Sequence, residues 1–287
     1  MGGLGNQMFQ YAAGRRLAHV HQTELKLDLG WFNGIAANAT RRKYELAAFK
    51  CHPLIASSED VAKYRKPLYL LSAVNFLNRL FPLVGQQHIT EKHFHFDPAI
   101  LLLPDNVYLD GYWQSPRYFM DIEEAIRSEF TVTSELTGLN KQISESIAQT
   151  ESVAVHVRRG DYVANPMTSR YHGTCTLDYY REAVDAIASR VKKPHFFLFS
   201  DDPEWTKNNL LSIHPMTMLD HNGLDKAYED MRLMSLCRHH IIANSSFSWW
   251  GAWLSRRPDK IVVAPRRWFS DKQVNTDDLL PEHWLRM

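Results

Sequence analysis

VAVHVRRGDY, residues 153–162, is the stretch on which the reading of the fold turns. Its alternation puts Val153, Val155 and Val157 on one face of a strand and Ala154, His156 and Arg158 on the other. Arg159, Gly160 and Asp161 then leave the strand end. In open α/β sheets ligands bind at the carboxyl ends of strands, where glycine permits a sharp turn and close backbone approach. Two adjacent arginines there suit a diphosphate, because guanidinium groups donate bidentate, charge-assisted hydrogen bonds and keep their charge at neutral pH. The same spacing equally allows Arg158 or Arg159 to pair structurally with Asp161 or another carboxylate.

Outward from this stretch, short apolar runs lead repeatedly into polar loops and then into amphipathic segments. Strands are predicted at residues 152–157, 195–199, 239–243 and 261–264, and helices at 177–189, 203–211, 228–237 and 248–256. That alternation describes a doubly wound parallel lobe. In the first half, residues 14–21 read as a helix and 25–28 as a strand, and the polar stretch 131–150 reads as a connection between lobes. The chain carries no internal repeat and no low-complexity segment.

Three further clusters bear on chemistry. HHIIANSSFSWWGAWLSRR, residues 239–257, reads as strand, polar elbow and helix. Ser245, Ser246 and Ser248 are good N-cap residues, and the first amides of the helix they open form an anion site that a phosphate would share with Arg158. A purely capping role for the serines stays open, and Trp249, Trp250 and Trp253 read as one buried face. In FFLFSDDPEW, residues 196–205, Pro203 fits the first helical position and Asp202 the cap, which leaves Asp201 to accept from the N1–H and N2–H of guanine or to serve structurally. GGLGNQMFQYAAGRRLA, residues 2–18, has glycines before a helix but matches neither phosphate-loop pattern. The sequence holds no D-x-D pair, and His93, His95, His239 and His240 lack the partners of a zinc site. Arginines and helix amides are therefore expected to stabilise a leaving diphosphate in place of a metal.

The composition bounds the rest. With 287 residues, 45% hydrophobic, the chain can fill two lobes, and a net charge of +1 supplies no field for nucleic acid. Three cysteines without close pairing suit a reducing compartment. The N-terminus lacks a secretory pattern, so a cytoplasmic location is expected. Residues 69–85, YLLSAVNFLNRLFPLVG, fall short of a span because Asn75, Asn78 and Arg79 interrupt them. With Lys63, Arg65 and Lys66 upstream, that stretch reads either as a peripheral membrane contact or as a helix covering the core.

Together, GGLGNQMFQYAAG, LDGYWQSPRYF, VAVHVRRGDY, FSDDPEW and EDMRLMSLCRHHIIANSSFSWWGAWL resemble the α1,2-fucosyltransferase family shared by bacteria and animals, over nearly the whole chain, with this protein as a bacterial member. The resemblance implies an α/β, GT-B-like fold of two Rossmann-type lobes with the active-site cleft between them. It also implies inversion, GDP-β-L-fucose as co-substrate, and neither cofactor nor metal. By similarity, His156 helps hold the guanosine, Arg158 grips the diphosphate and Asp201 reads guanine. Ser245, Ser246 and Phe247 contact the phosphates, and Asn6 reaches the donor from the opposite lobe. Members usually carry a short apolar strand before the first glycines, whereas here Met1 directly precedes Gly2. Residues 1–150 are expected to form the acceptor lobe and 151–287 the donor lobe.

The expected reaction moves fucose to the 2-hydroxyl of a terminal β-galactoside, as in an O-antigen repeat. Asp161 is either the general base or the group that orients Arg158 or Arg159. Tyr112, Trp113 and Gln114 offer an aromatic face and polar groups to the acceptor, with burial of Trp113 as the other reading. The competing functions are α1,6 transfer from the same donor and a non-catalytic glycan- or nucleotide-binding module.

Overall fold

The computed structural model describes residues 1–34, 42–64, 87–160, 163, 166–210 and 212–287. Asp161, Arg65, Lys66 and the apolar stretch 69–85 lie outside the described residues. The chain runs through α1 (Leu4–His21), β1 (Lys26–Leu27), α2 (Gly30–Asn33), β2 (Leu54–Ile55), α3 (Ser58–Ala62), β3 (Gln87–Thr90) and β4 (Val107–Asp110). It continues through α4 (Glu123–Glu129), α5 (Gly138–Gln149), β5 (Glu151–Val157), α6 (Pro166–His172), α7 (Leu177–Ala188) and β6 (Pro194–Ser200). The last elements are α8 (Pro203–Asn209), β7 (Met216–Leu219), α9 (Ala227–Leu236), β8 (His239–Ile241), α10 (Ser246–Leu254), β9 (Val262–Ala264) and β10 (Leu285–Arg286).

The alternation in β5 sorts its side chains into two apolar layers. Val153, Val155 and Val157 pack with Tyr180, Ala183, Val184 and Ile187 of α7, while Ala154 packs with Ile143 and Ile147 of α5 and with Leu233 and Met234 of α9. A strand covered by helices on both faces belongs at the centre of a parallel sheet. The six-stranded sheet has the order β10-β9-β8-β5-β6-β7, with every pairing parallel. From β5 the chain steps outward to β6 and β7, then returns to the other flank for β8, β9 and β10. This reversal puts the topological switch point between β5 and β8, where the ligand crevice of an open α/β sheet lies.

The first half departs from its expected form. Helix α1 starts at Leu4 rather than near residue 14, so the glycine-rich stretch is mostly the first turns of a helix. Within the polar stretch read as a connection, residues 138–149 form helix α5, packed on α9 through Ile143 and Ile147. Among the described residues the early strands form two separate parallel pairs, β1 with β2 and β3 with β4, instead of one Rossmann sheet.

An aromatic core joins the first helix to the second half of the chain. Phe9 of α1 lies 4.6 Å from Trp249 and 4.9 Å from Trp250 of α10, and Phe119 stacks on Trp250 at 5.4 Å. Trp249 and Trp250 are completely buried and Trp253 nearly so, which is the packing role their helical spacing implied. No described helix is long and apolar enough to cross a membrane.

Candidate functional site

Strands β5 and β8 are neighbours, so their carboxyl ends bring the Arg158 turn beside the Asn244–Ser245–Ser246 elbow. Arg158 leaves β5 next to Asp201, which follows β6, and its guanidinium contacts Asp201 Oδ2 at 3.0 Å. The other carboxylate oxygen, Oδ1, accepts the Arg159 backbone N–H at 2.8 Å. A Cβ at Gly160 would meet Asp201 Oδ2 at 2.5 Å, so the absence of a side chain there is what lets the carboxylate reach the turn. Asp201 thus braces Arg158 and the turn, while each of its oxygens keeps a further lone pair.

The second arginine has a different fate. Arg159 lies 3.8 Å over the Trp205 ring and pairs with Asp202 at 3.3 Å. Asp202 is also the N-cap of α8, accepting the Trp205 N–H at 3.2 Å. Arg159 is thus held by the start of α8 through stacking and charge together. One arginine of the pair is held by Asp201 at the strand end and the other fastens the neighbouring helix.

His156, on the same face of β5 as Arg158, is buried, and its ring lies 5.5 Å from that of Phe247. Burial first, and the nearby Arg158 charge second, push it down to about 3, so it is a neutral imidazole at any working pH. Its buried Nδ1 has no hydrogen-bond partner among the described residues. A buried polar atom in that condition is a reason to look for a ligand.

At the elbow, Ser245 is the N-cap of α10 but its side chain makes no capping bond. Ser246 Oγ donates to Asn6 Oδ1 at 2.6 Å, and Ser248 Oγ turns back to the carbonyls of Ala243 and Ser245. The serines therefore do not cap the first turn, and its amides remain the positive end of the helix. The opposing wall is α1. A Cβ at Gly5 would meet Ser246 C at 2.4 Å and Phe247 N at 2.5 Å, so only glycine admits this approach. The Gly5 carbonyl accepts from Trp250 Nε1 at 3.0 Å. Asn6 is thereby brought to the elbow, where its Oδ1 also accepts from Gln114 Nε2 at 2.9 Å. Gly5 of the first stretch thus serves helix-to-helix contact.

The expected acceptor residues come apart. Trp113 is 2% exposed and packs edge-on against Tyr118 at 5.7 Å, so its ring offers no face to a sugar. Gln114 is buried and committed to Asn6. Tyr112 alone of the three remains partly accessible. Trp113 sits at φ +56°, a strained turn held by Glu91, whose two oxygens accept the N–H groups of Tyr112 and Trp113 at 2.7 and 2.9 Å. Burial raises the Glu91 carboxyl, and these two N–H bonds pull it back in part. Glu91 went unnoticed in the sequence because a single acid after a short strand carries no signal of its own.

Asp230, in the first turn of α9, was missed for the same reason. Burial raises its carboxyl to about 6, and Asn222, from the loop after β7, donates to its Oδ1 at 2.7 Å. The first turn of α9 thus carries a buried carboxylate paired with Asn222 of the loop that follows β7. Among the described residues no group of three or more histidine, cysteine or acidic side chains could hold a metal ion.

An arginine braced by a carboxylate, on the strand beside the one that leads into a helix without a side-chain cap at the switch point of a parallel sheet, is an arrangement suited to an anion. The model of glycosyl transferase family 11 matches residues 86–287, and the chain belongs to that family. It is 35% identical to the alpha-1,2-colitosyltransferase of Escherichia coli, over the whole chain and 96% of that protein. It is 32% identical to the O-antigen biosynthesis glycosyltransferase WbnK of Escherichia coli, over the whole chain and 98% of that protein. It is 31% identical to galactoside alpha-(1,2)-fucosyltransferase 1 of Leontocebus fuscicollis, over 51% of this chain and 42% of that one. Among solved structures, a mutant of Arabidopsis thaliana FUT1 in complex with GDP superposes with a TM-score of 0.51 at 10% identity, covering 99% of this chain and 74% of that one. The fold is thus the GT-B-like α/β class, and the protein is a glycosyltransferase.

Proposed function

We propose that the protein transfers L-fucose from GDP-β-L-fucose to the 2-hydroxyl of a terminal β-galactoside, with inversion and without a metal ion. The observation that carries this reading is the pair of neighbouring strand ends, β5 and β8, which carry Arg158 and the elbow that opens α10. As the acceptor oxygen bonds to the anomeric carbon, the bond from that carbon to the diphosphate breaks and negative charge collects on GDP. Arg158, held in place by Asp201, and the first amides of α10 neutralise that charge, the task a divalent ion performs elsewhere. Neutral His156 and Phe247 line the nucleoside side, and Asn6 closes the crevice from α1. Each oxygen of Asp201 accepts one donor and keeps a further lone pair, so Asp201 remains able to accept from the N1–H and N2–H of guanine. Asp161 is the base that takes the acceptor proton.

A second reading has one specific support, the 35% identity over the whole chain to a colitosyltransferase. Colitose is the 3-deoxy counterpart of fucose, so a nucleotide-activated form of it would use the same diphosphate and base contacts. The test is GDP release from GDP-fucose and from GDP-colitose, with and without lactose, followed by NMR assignment of the product linkage. Acceptor-dependent release from GDP-fucose with an α1,2 product supports the first reading. At least a tenfold preference for GDP-colitose moves the assignment to the second, and release that never depends on acceptor removes both.

A further inference from the structure

An aromatic wall stands beside the elbow and has no part in the donor contacts above. Tyr171, near the end of α6, is 47% exposed, and its ring lies 4.9 Å from Phe269. Phe269 takes Phe94 edge-on at 4.9 Å and has His172 at 5.4 Å. Phe269, itself braced by Phe94 from a distant part of the chain, therefore backs a tyrosine that remains open to solvent.

One side chain fixes the wall to the donor crevice. Asn244 Nδ2 lies within hydrogen-bonding distance of the carbonyls of His172 at 3.0 Å, Gly173 at 3.2 Å and Trp268 at 3.1 Å. Asn244 directly precedes Ser245 and Ser246, so Tyr171 and Phe269 are tied to the elbow. The Tyr171 carbonyl also accepts the Ser270 N–H at 3.0 Å, which ties the two halves of the wall together. On the side of the first half of the chain stand Glu91 and Tyr112. The Tyr171 phenol is within electrostatic reach of Glu91, Tyr112 and Asp271.

A pyranose presents a patch of C–H groups on one face and hydroxyls around its rim. An aromatic ring covers the first, and carboxylates accept from the second. Each Glu91 oxygen accepts one backbone N–H and keeps a further lone pair for a sugar hydroxyl. We infer that Tyr171, backed by Phe269, is the stacking platform for the acceptor sugar, with Glu91 accepting from its hydroxyls. This inference rests on the transferase reading and moves the acceptor subsite away from Trp113.

The experiment compares wild type, Tyr171→Ala and Tyr171→Phe for the lactose KM, for GDP affinity by calorimetry, and for saturation-transfer NMR of lactose in the presence of GDP. Tyr171 is half exposed, so the variants should keep the wild-type melting temperature. Tyr171→Ala should raise the acceptor KM about tenfold, the scale of one lost stacking contact, and abolish most saturation transfer while leaving GDP affinity unchanged. Tyr171→Phe, which keeps the ring, should stay within about threefold of wild type. An unchanged acceptor KM and saturation transfer in Tyr171→Ala, or a loss that follows GDP affinity instead, overturns the platform. Since the NMR needs no turnover, lactose binding that depends on Tyr171 in a protein with no transfer activity would uphold the platform while removing the transferase reading.

Discussion

At the carboxyl end of α10, Lys260 Nζ donates to the carbonyls of Ala252 at 2.9 Å, Trp253 at 3.5 Å and Ser255 at 2.6 Å. Arg127 lies 3.9 Å over the Trp253 ring and donates to the same Trp253 carbonyl. Two cations thus cover the negative end of the helix dipole. At the amino end the N-cap residue Ser245 makes no capping bond, and the hydroxyl of Ser246 is turned toward Asn6. Among the described residues, protein groups cover the carboxyl end of this nine-residue helix, and the N-cap side chain leaves the amino end without a capping bond. A helix end finished internally contributes stability, whereas an end whose amides are left uncapped at a strand-end crevice is suited to an anion. The two ends should accordingly respond to mutation differently, the amino end in rate and the carboxyl end in stability.

The largest effect belongs to the amino end. Arg158→Ala should lower kcat/KM on the order of a hundredfold or more, the usual consequence of removing one donor to a developing negative charge. Steady-state kinetics alongside thermal melting checks it, and a variant with near-normal turnover would break the assignment of this end to the leaving diphosphate. Lys260→Met tests the carboxyl end. Loss of three hydrogen bonds to carbonyls is offset in part by relief of desolvation, so a destabilisation of about 1 kcal/mol at pH 7 is expected in urea unfolding, with kcat unchanged. Burial first, and the Arg127 charge second, hold the Lys260 ammonium down to about 8, below its ordinary value of 10.5. The unfolded chain therefore binds more protons between pH 8 and 10.5, and stability from this group rises across that window. The wild type should gain on Lys260→Met as pH goes from about 7 to about 10, and the reverse trend would contradict the assigned environment of this lysine.

The same contrast explains which parts of the molecule were legible in the sequence. The second half could be read because its signals are local: period-two valines in β5, Pro203 after Asp202, and serines before an aromatic helix. Strand ends located from such signals brought Arg158 and Ser246 together once β5 and β8 paired. The first half depends on contacts between distant segments. Gly5 is required by the backbone of Ser246 and Phe247, far along the chain, and no local pattern encodes that approach. Trp113 was offered to the acceptor because exposure of a lone tryptophan cannot be read from its neighbours, and its burial depends on Tyr118 and on the turn held by Glu91. The brace that Asp201 gives to Arg158 and to the Arg159 N–H is likewise a contact between strand ends that no local pattern encodes.

The smallest effect is the sharpest test of the difference between the ends. An ordinary N-cap serine contributes about 0.5–2 kcal/mol through its bond to an amide of the first turn, and replacement by alanine removes that contribution. Ser245 makes no such bond. Ser245→Ala should consequently change unfolding free energy by less than about 0.5 kcal/mol while weakening GDP binding several-fold, since Ser245 opens the helix whose first amides are proposed to meet the diphosphate. Calorimetric titration with GDP, paired with urea unfolding of the same sample, separates the two quantities. A stability loss of about 1 kcal/mol with unaltered GDP affinity would show that Ser245 caps α10 in solution, and the two ends of the helix would then be alike.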